Sequence, residues 1–177
     1  MSFLLKLFKP RTKQVIITIC GLDKAGKTTI VKYLVAGEYK GTIPTLGVNR
    51  EVIDLPKLQM DIFDLGGQED FRGLWADINE KSDGLIYVVD SSDFVRLEET
   101  KQIFHNIIRT QISTIIPVMI LLNKSDIVNR ISRPDFMKQF GLFELMNIKW
   151  SCFETSALTG EGLYEAFKWF IDCFQEE

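Results

Sequence analysis

Short apolar runs alternate with amphipathic segments along most of this chain. Runs rich in Val, Ile and Leu that stop at a glycine or a polar residue predict buried strands at 15–20, 85–90 and 115–122. A further strand is predicted at 149–154. Apolar positions at helical spacing predict helices at 27–36, 95–111, 134–140 and 162–174. Strands that alternate with helices in this way favour parallel pairing, with helices on both faces of one sheet.

One pair of segments departs from this alternation. Residues 47–55 and 58–64 have the pattern of strands and are joined directly around Pro56 and Lys57, which predicts a hairpin. Residues 65–81 show no regular period and are expected to be irregular. We therefore predict an α/β domain whose six-stranded mixed sheet has one antiparallel edge strand and about five flanking helices. In such sheets, ligands bind outside the carboxyl ends of the strands.

The segment between the first strand and the first helix has the form G-x-x-x-x-G-K-[ST]. Its place between a strand and a helix is the context in which this motif binds phosphates through backbone N–H groups and the helix dipole. Lys27 would reach the β- and γ-phosphates, and the Thr28 hydroxyl would bind Mg²⁺. The loop alone does not separate GTP from ATP. The nucleotide-binding residues predicted here are Asp23, Lys24, Ala25, Gly26, Lys27, Thr28 and Thr29.

A candidate for base recognition follows the run that ends at residue 122. The Asp126 carboxylate can accept hydrogen bonds from N1–H and the 2-amino group of guanine, whereas adenine would leave this buried carboxylate unpaired at a cost of about 1–3 kcal/mol. Lys124 can lie over the base, and Asn123 can tie its loop to the phosphate loop. Ser156 and Ala157 follow the last strand, and we expect the Ala157 N–H to contact guanine O6. By itself the segment fits an ordinary polar turn equally well; the phosphate loop upstream favours base recognition.

Two further segments fit the γ-phosphate end of a nucleotide site. Asp64 ends the third strand and can hold Mg²⁺ through water, while the Gly67 N–H can meet a γ-phosphate and Gln68 can orient the attacking water. Thr45 could add a second hydroxyl to Mg²⁺, or it could be only a turn residue after Pro44. The predicted metal ligands are therefore Thr28, Thr45 and, through water, Asp64, and the predicted catalytic residue is Gln68.

Composition excludes some functions, and the charge distribution divides the chain. Its 177 residues, 46% hydrophobic and 25% charged, suit one ordinary domain. Four of the 21 basic residues, and no acid, lie in residues 1–14, which leaves 17 basic against 24 acidic residues in the remainder. An acidic body argues against nucleic-acid binding. Three scattered cysteines favour a reducing compartment.

The N-terminal residues are predicted to form a basic amphipathic segment, 1–13, that precedes a domain at 14–177. At about 100° per residue, the apolar side chains of residues 3–8 cover an arc of about 200°, with Lys6 and Lys9 opposite. The segment is too short for a signal peptide, and no run of the chain approaches the roughly 20 apolar residues of a membrane span. Cys173 is misplaced for prenylation.

Together these motifs resemble the ADP-ribosylation-factor (Arf and Arf-like) branch of the Ras-like small GTPases over about residues 1–174. The segments that carry the resemblance are Gly-Leu-Asp-x-Ala-Gly-Lys-Thr-Thr at 21–29, Pro-Thr-Leu-Gly-Val-Asn at 44–49, Asp-Leu-Gly-Gly-Gln at 64–68 and Leu74-Trp75. Asn123-Lys124-x-Asp126 is shared by small GTPases generally. The resemblance implies a P-loop G domain and a GTP/GDP switch that needs Mg²⁺, an exchange factor, an activating protein and effectors.

The resemblance also carries expectations about the membrane. It implies that the hairpin strands slide when GTP binds and expel the N-terminal helix, so that a cytoplasmic protein becomes peripheral to a membrane in trafficking. Lipidated members have a glycine where this chain has Ser2, so we expect a non-myristoylated form with weak, reversible contact through residues 3–9. The alternative is a helix that only docks on the body. Phe63, Trp75 and Ile78 fall where the family has an effector-facing hydrophobic cluster. Trp75 matches the family, whereas the other two stand where relatives often carry Trp and Tyr. The alternative is that all three are core.

Three functions remain open at this point. The first is a GTPase switch, slow without assistance because no arginine finger is identifiable in the chain. The second is a GTP-loaded scaffold that recruits effectors and hardly hydrolyses, against which Gln68 argues. The third is a P-loop kinase for a small molecule, which would leave Asn123 to Asp126 unexplained.

Overall fold

The computed structural model describes residues 12–112, 116–146 and 148–175, so the amphipathic helix expected at residues 3–9 lies outside them. Within these residues, six strands form one sheet: β1 Lys13–Cys20, β2 Val48–Leu55, β3 Leu58–Leu65, β4 Gly84–Asp90, β5 Val118–Asn123 and β6 Trp150–Thr155. Their order is β2-β3-β1-β4-β5-β6. Only β2 and β3 pair antiparallel, and the other neighbours pair parallel. The predicted mixed sheet with one antiparallel edge strand is confirmed.

Helices cover both faces of this sheet. The described residues contain five α-helices: α1 Lys27–Ala36, α2 Trp75–Asn79, α3 Leu97–Thr110, α4 Arg133–Gln139 and α5 Leu163–Gln175. Helices α1 and α5 pack on one face, with Ile30 and Phe170 in its core, and the other three pack on the opposite face around Phe104. Because both faces are covered, every residue of β5 is buried, which explains its continuous apolar sequence. In the described residues no helix has both the length and the apolar character needed to cross a bilayer.

The ends of two helices follow from local chemistry. Helix α1 stops at Gly37, which adopts the left-handed conformation with φ 74° and donates its N–H to the Tyr33 carbonyl. Helix α4 starts after Ser132, whose hydroxyl accepts the Asp135 N–H, with Pro134 in the first turn. These signals explain why the predicted bounds of both helices lie within a residue of the observed ones.

Two segments differ from expectation. Strand β5 begins at Val118 rather than near residue 115, because Pro117 has no N–H for the ladder. Residues 65–81 are more regular than predicted, since a 3₁₀ helix at Glu69–Leu74 leads directly into α2.

Trp75 accounts for much of the order in that segment. Its side chain is only 1% exposed, and its indole N–H donates to the Gly66 carbonyl at 3.1 Å. Phe63 and Ile78 are half-buried against the same core. The effector-facing interpretation is therefore wrong for Trp75, which is a core residue, as the alternative held.

The parallel strands bring the predicted motifs to one end of the sheet. Asp90, Asn123 and Thr155, the last residues of β4, β5 and β6, lie side by side in the register. Strand β1 ends there at the phosphate loop, and β3, parallel to β1, ends at Leu65. The prediction that the motifs share the carboxyl edge of the sheet is confirmed.

Candidate functional site

The loop between β1 and α1 has a backbone that requires glycine. Gly21 and Gly26 adopt φ values of 136° and 99°, which are unfavourable for residues with a side chain. A Cβ on Gly21 would collide with the Val88 carbonyl oxygen, and one on Gly26 with the Asn123 amide. Lys24 is also left-handed, with φ 63°. The loop therefore curls tightly and opens directly into α1, as the motif predicts.

Lys27 lies inside the curl of this loop. Its side chain is 5% exposed, and Nζ donates to the carbonyl oxygens of Gly21 and Leu22 at 2.9 and 2.8 Å. Burial lowers the pKa of this ammonium, and the nearby Asp64 carboxylate opposes that effect. A desolvated cation with exchangeable carbonyl partners is well suited to bind an anion that enters the loop.

Three oxygen-bearing side chains from separate segments converge beside the loop. The Thr28 and Thr45 hydroxyl oxygens are 2.8 Å apart, and both bond Asp64 Oδ2, at 2.6 and 3.3 Å. Asp64 is 1% exposed, and burial raises the pKa of its carboxyl while the two hydroxyls lower it. The other oxygen, Asp64 Oδ1, is buried and has no hydrogen-bond partner in the described structure. These three residues, from α1, the segment before β2 and the end of β3, are the predicted metal ligands.

Gly67 packs directly against the phosphate loop. A side chain at this position would collide with the Asp23 nitrogen, the Leu22 backbone and the Lys27 ammonium. Next to it, Gln68 is exposed at the rim. The Gly67 carbonyl accepts a hydrogen bond from Arg72 Nε at 3.3 Å. A glycine is thus required where the predicted γ-phosphate contact lies.

Asn123 joins the two motif loops. Its amide nitrogen donates to the Ala25 carbonyl at 2.8 Å, and its oxygen accepts the Ala157 N–H at 3.0 Å. The predicted tie between the base-reading loop and the phosphate loop is confirmed. Because the Ala157 N–H already has this partner, its contact with guanine O6 stays a prediction.

The side chains that are predicted to recognise the base are held by neighbouring residues. Lys124 has φ 65°, and its ammonium pairs with Asp90 Oδ2 at 2.6 Å. Burial raises the pKa of Asp90, but hydrogen bonds from Lys124 and Ser92 outweigh it, and the pKa lies below its ordinary value. The sequence analysis did not include Asp90 among the site residues. The pattern that could have indicated it is an acidic residue at the end of a buried strand. The backbone conformation of Lys124 and the ion pair of its ammonium together set the position of this side chain.

Asp126 is exposed, contrary to the expectation that it is buried. The reason is its position in the turn after β5, beyond the cover of the helices. Its Oδ1 accepts a hydrogen bond from the Ser156 hydroxyl at 2.5 Å, and Ser156 itself is fully buried. Ser156 therefore orients the carboxylate from behind.

All these loops enclose one cavity of about 440 Å³. Most of the predicted residues line it: Asp23, Lys24, Gly26, Lys27, Thr28, Thr29, Thr45, Gly67, Gln68, Asn123, Lys124, Asp126 and Ala157. Ala25, Asp64 and Ser156 are not among its lining residues and hold the lining residues from behind. Five lining residues were missed from the sequence: Tyr39, Thr42, Ile43, Pro44 and Leu158. Only Pro44, beside Thr45, belonged to a recognisable motif.

Known proteins identify the family. The model of the ADP-ribosylation factor family matches residues 1–174 of this chain. The chain belongs to the ADP-ribosylation factor family. It is 37% identical over 174 residues to ADP-ribosylation factor F of Dictyostelium discoideum. This match covers 96% of this chain and 92% of that protein. The Arl6 BBS3 small GTPase of Trypanosoma brucei, solved with the bound nucleotide analogue GppNp, is similar in structure with a TM-score of 0.80, at 30% identity. That match covers 90% of this chain and 96% of the other.

The resemblance drawn from the motifs is therefore confirmed. This Arf-family chain is a small GTPase, a GTP-binding switch protein, and such proteins interact with regulators and effectors in general. The loops that carry the two predicted nucleotide-binding motifs both line the cavity. The role of each lining residue toward that nucleotide stays a prediction.

Proposed function

We propose that this Arf-family chain binds GTP and GDP with Mg²⁺, hydrolyses GTP slowly, and acts as a switch in recruitment to a membrane. One observation carries the proposal: Thr28, Thr45 and Asp64 meet within hydrogen-bond distance at the edge of the cavity that the base-reading loop also lines. A segment that carries Thr45 can thereby sense what occupies the phosphate end of the cavity.

The donor set suits Mg²⁺. In proteins this ion takes oxygen ligands, keeps several waters, and relies on one or two carboxylates together with substrate phosphates. The hydroxyls of Thr28 and Thr45 would bind it directly, and the unpaired Asp64 Oδ1 would hold one of its waters. When bound, Mg²⁺ would neutralise charge on the β- and γ-phosphate oxygens.

The residues around the γ-phosphate would supply the remaining functions. Lys27 would exchange its carbonyl partners for phosphate oxygens, and the Gly67 N–H would meet the γ-phosphate. Gln68 would orient the attacking water. Because its side chain is exposed at the rim, orienting it costs conformational entropy, so the unassisted reaction is slow. An activating protein that ordered Gln68 would speed hydrolysis.

Replacing Gln68 by Leu is expected to slow single-turnover GTP hydrolysis about 10- to 100-fold. This lies at or below the lower end of the roughly 100- to 10,000-fold effect of a catalytic acid or base. GTP affinity should change less than about threefold, since no base or phosphate contact is removed. The assay follows release of phosphate from protein preloaded with GTP, first with Mg²⁺ and then after the Mg²⁺ has been chelated. Chelation should lower both the rate of hydrolysis and the affinity for GTP.

Gln102→Leu is the matched control, because Gln102 is an exposed glutamine on α3, away from the cavity. It should hydrolyse GTP at the wild-type rate. Equal rates for Gln68→Leu and wild type would contradict a role for Gln68 and favour the GTP-loaded scaffold.

Partner binding is proposed on the segment that contains Thr45. Ile43 is 81% exposed and Leu46 is 75% exposed, on either side of Thr45. Any movement of Thr45 toward a ligand would displace both apolar side chains. Exposed apolar groups coupled to the nucleotide in this way suit effectors, and an exchange factor and an activating protein would act on the same region.

The N-terminal segment is expected to give membrane binding that depends on the nucleotide. A helix of about two turns is unstable alone, so we expect it to pack on the body with GDP and to be released with GTP. The cytoplasmic protein would then bind a membrane weakly through residues 3–9. Flotation with liposomes of anionic lipid should recover more protein with GppNp than with GDP, and salt should reduce the recovery because Lys6, Lys9, Arg11 and Lys13 contribute.

The control for flotation is a chain that lacks residues 1–12, which leaves β1 whole from Lys13 and should stay unbound with either nucleotide. Equal flotation of the GDP and GppNp forms of the intact chain would show that the segment is not controlled by the switch.

A further inference from the structure

An acidic side chain lies at the end of the cavity where negative charge is expected to bind. Asp23 lines the cavity, and its side chain is 30% exposed. Its backbone nitrogen lies against Gly67, next to Gln68. In the proposed function this is the γ-phosphate end. A free carboxylate there would repel the terminal phosphate of GTP.

Arg96 binds this carboxylate from a distant part of the chain. Its Nη1 lies 2.6 Å from Asp23 Oδ1, and its Nη2 donates to the Asp23 carbonyl at 3.3 Å. Two nitrogens of one rigid guanidinium therefore hold both the side chain and the backbone of the same loop residue.

Asp93 fixes the guanidinium in that position. Its Oδ2 lies 2.7 Å from Arg96 Nε, and its Oδ1 accepts the Arg96 N–H at 3.2 Å. Both residues sit at the 3₁₀ turn that leads into α3, so their geometry is local and rigid. Arg96 thus reaches the phosphate loop from a fixed base, and the pair with Asp23 does not depend on a flexible partner.

We propose that Arg96 is a positioning residue that sets the preference between GTP and GDP. It neutralises Asp23 and holds its carboxylate aside, which lowers the repulsion that a γ-phosphate would meet. GDP has no phosphate at this end, so the loss of Arg96 weakens GTP selectively. The inference rests on the proposed function, because it takes the Gly67 end of the cavity as the γ-phosphate end.

The test compares dissociation constants for GppNp and GDP in the full-length protein with Mg²⁺, by competition with a fluorescent GDP. Arg96→Ala is expected to raise the ratio of the GppNp constant to the GDP constant about tenfold at low salt, and less at high salt because the charges are partly exposed. Arg96→Ala combined with Asp23→Asn should return the ratio to within about threefold of wild type, because the repelling charge is gone.

Two variants complete the set. Asp93→Asn is the matched control, since it removes a negative charge beside the same guanidinium but outside the cavity. The asparagine oxygen can still accept the hydrogen bond from Arg96 Nε, so Arg96 keeps its position and the ratio should stay near wild type. Arg96→Gln keeps a hydrogen-bond donor without the charge and should raise the ratio in the same direction, which covers the case that Arg96→Ala does not fold.

Equal weakening of both nucleotides in the Arg96 variants, or no recovery in the double variant, would overturn the inference while leaving the proposed function intact. Failure of the wild-type chain to bind either nucleotide would overturn the proposed function, and the inference with it.

Discussion

Replacing Asp126 by Asn is expected to lower the affinity for GTP about a hundredfold and to raise the affinity for XTP. The asparagine oxygen can still accept the N1–H of guanine, but the charge-assisted hydrogen bond to the 2-amino group is lost, and such a bond is worth about 1.5–3 kcal/mol. The asparagine amide would place a donor opposite the guanine amino group, whereas xanthine has an oxygen there. Competition by GTP, ATP and XTP against a fluorescent nucleotide measures the change.

The fold should tolerate this substitution. Ser156 holds Asp126 Oδ1 through a hydroxyl, which can equally donate to the amide oxygen of asparagine. Asp135→Asn is the matched control, since Asp135 is also an exposed acid that bonds a serine hydroxyl, at 2.6 Å, but it lies at the start of α4. An unchanged preference for GTP over XTP in Asp126→Asn would show that this loop does not read the base.

Replacing Asn123 by Ala is expected to destabilise the protein by about 2–4 kcal/mol and to weaken every guanine nucleotide. The substitution leaves the Ala25 carbonyl and the Ala157 N–H without their partner, and an unsatisfied buried group costs about 1–3 kcal/mol. It also removes the hydrogen bond that joins the loop at Asn123 to Asp126 to the phosphate loop. The distance between the two halves of the cavity is then no longer fixed.

The measurement is denaturant unfolding without nucleotide and with saturating GDP. A bound ligand raises the free energy of unfolding in proportion to the logarithm of its affinity, so the gap between the two curves reports binding separately from folding. In Asn123→Ala both the stability and the gap should fall. Asn79→Ala is the control: Asn79 is equally buried and donates to Gln111 Oε1 at 2.7 Å, in α2. In Asn79→Ala the free energy of unfolding should fall, but the gap between the curves with and without GDP should stay the same. If Asn123→Ala also kept this gap, Asn123 would not be the residue that holds the two loops together for binding.

The phosphate loop and the sheet followed from the sequence because their signals are local. Gly21 and Gly26 are needed by the backbone of one short loop, and Lys27 and Thr28 follow within the same motif. The continuous apolar runs of β4 and β5 predicted strands that are buried on both faces, as in a parallel sheet. Because parallel strands end at the same edge of the sheet, their last residues, with Asn123 among them, lie together at the site. Motif residues that are close in sequence keep their relation to one another in any fold that forms the strand and the helix.

Three features depended on contacts between distant segments. Trp75 is core because its side chain packs in the hydrophobic cluster on that face of the sheet and its indole N–H donates to Gly66. No periodic pattern in residues 65–81 indicates these contacts. Asp90 reaches Lys124 because β4 and β5 are neighbours in register, and Arg96 reaches Asp23 because the turn before α3 lies above the phosphate loop. A charged residue has many potential partners of opposite sign in the chain, and only the packing of strands and helices selects the one within hydrogen-bond distance. The sequence therefore determined the family and the class of ligand, while the tertiary structure decided which neighbours hold the predicted site residues in place.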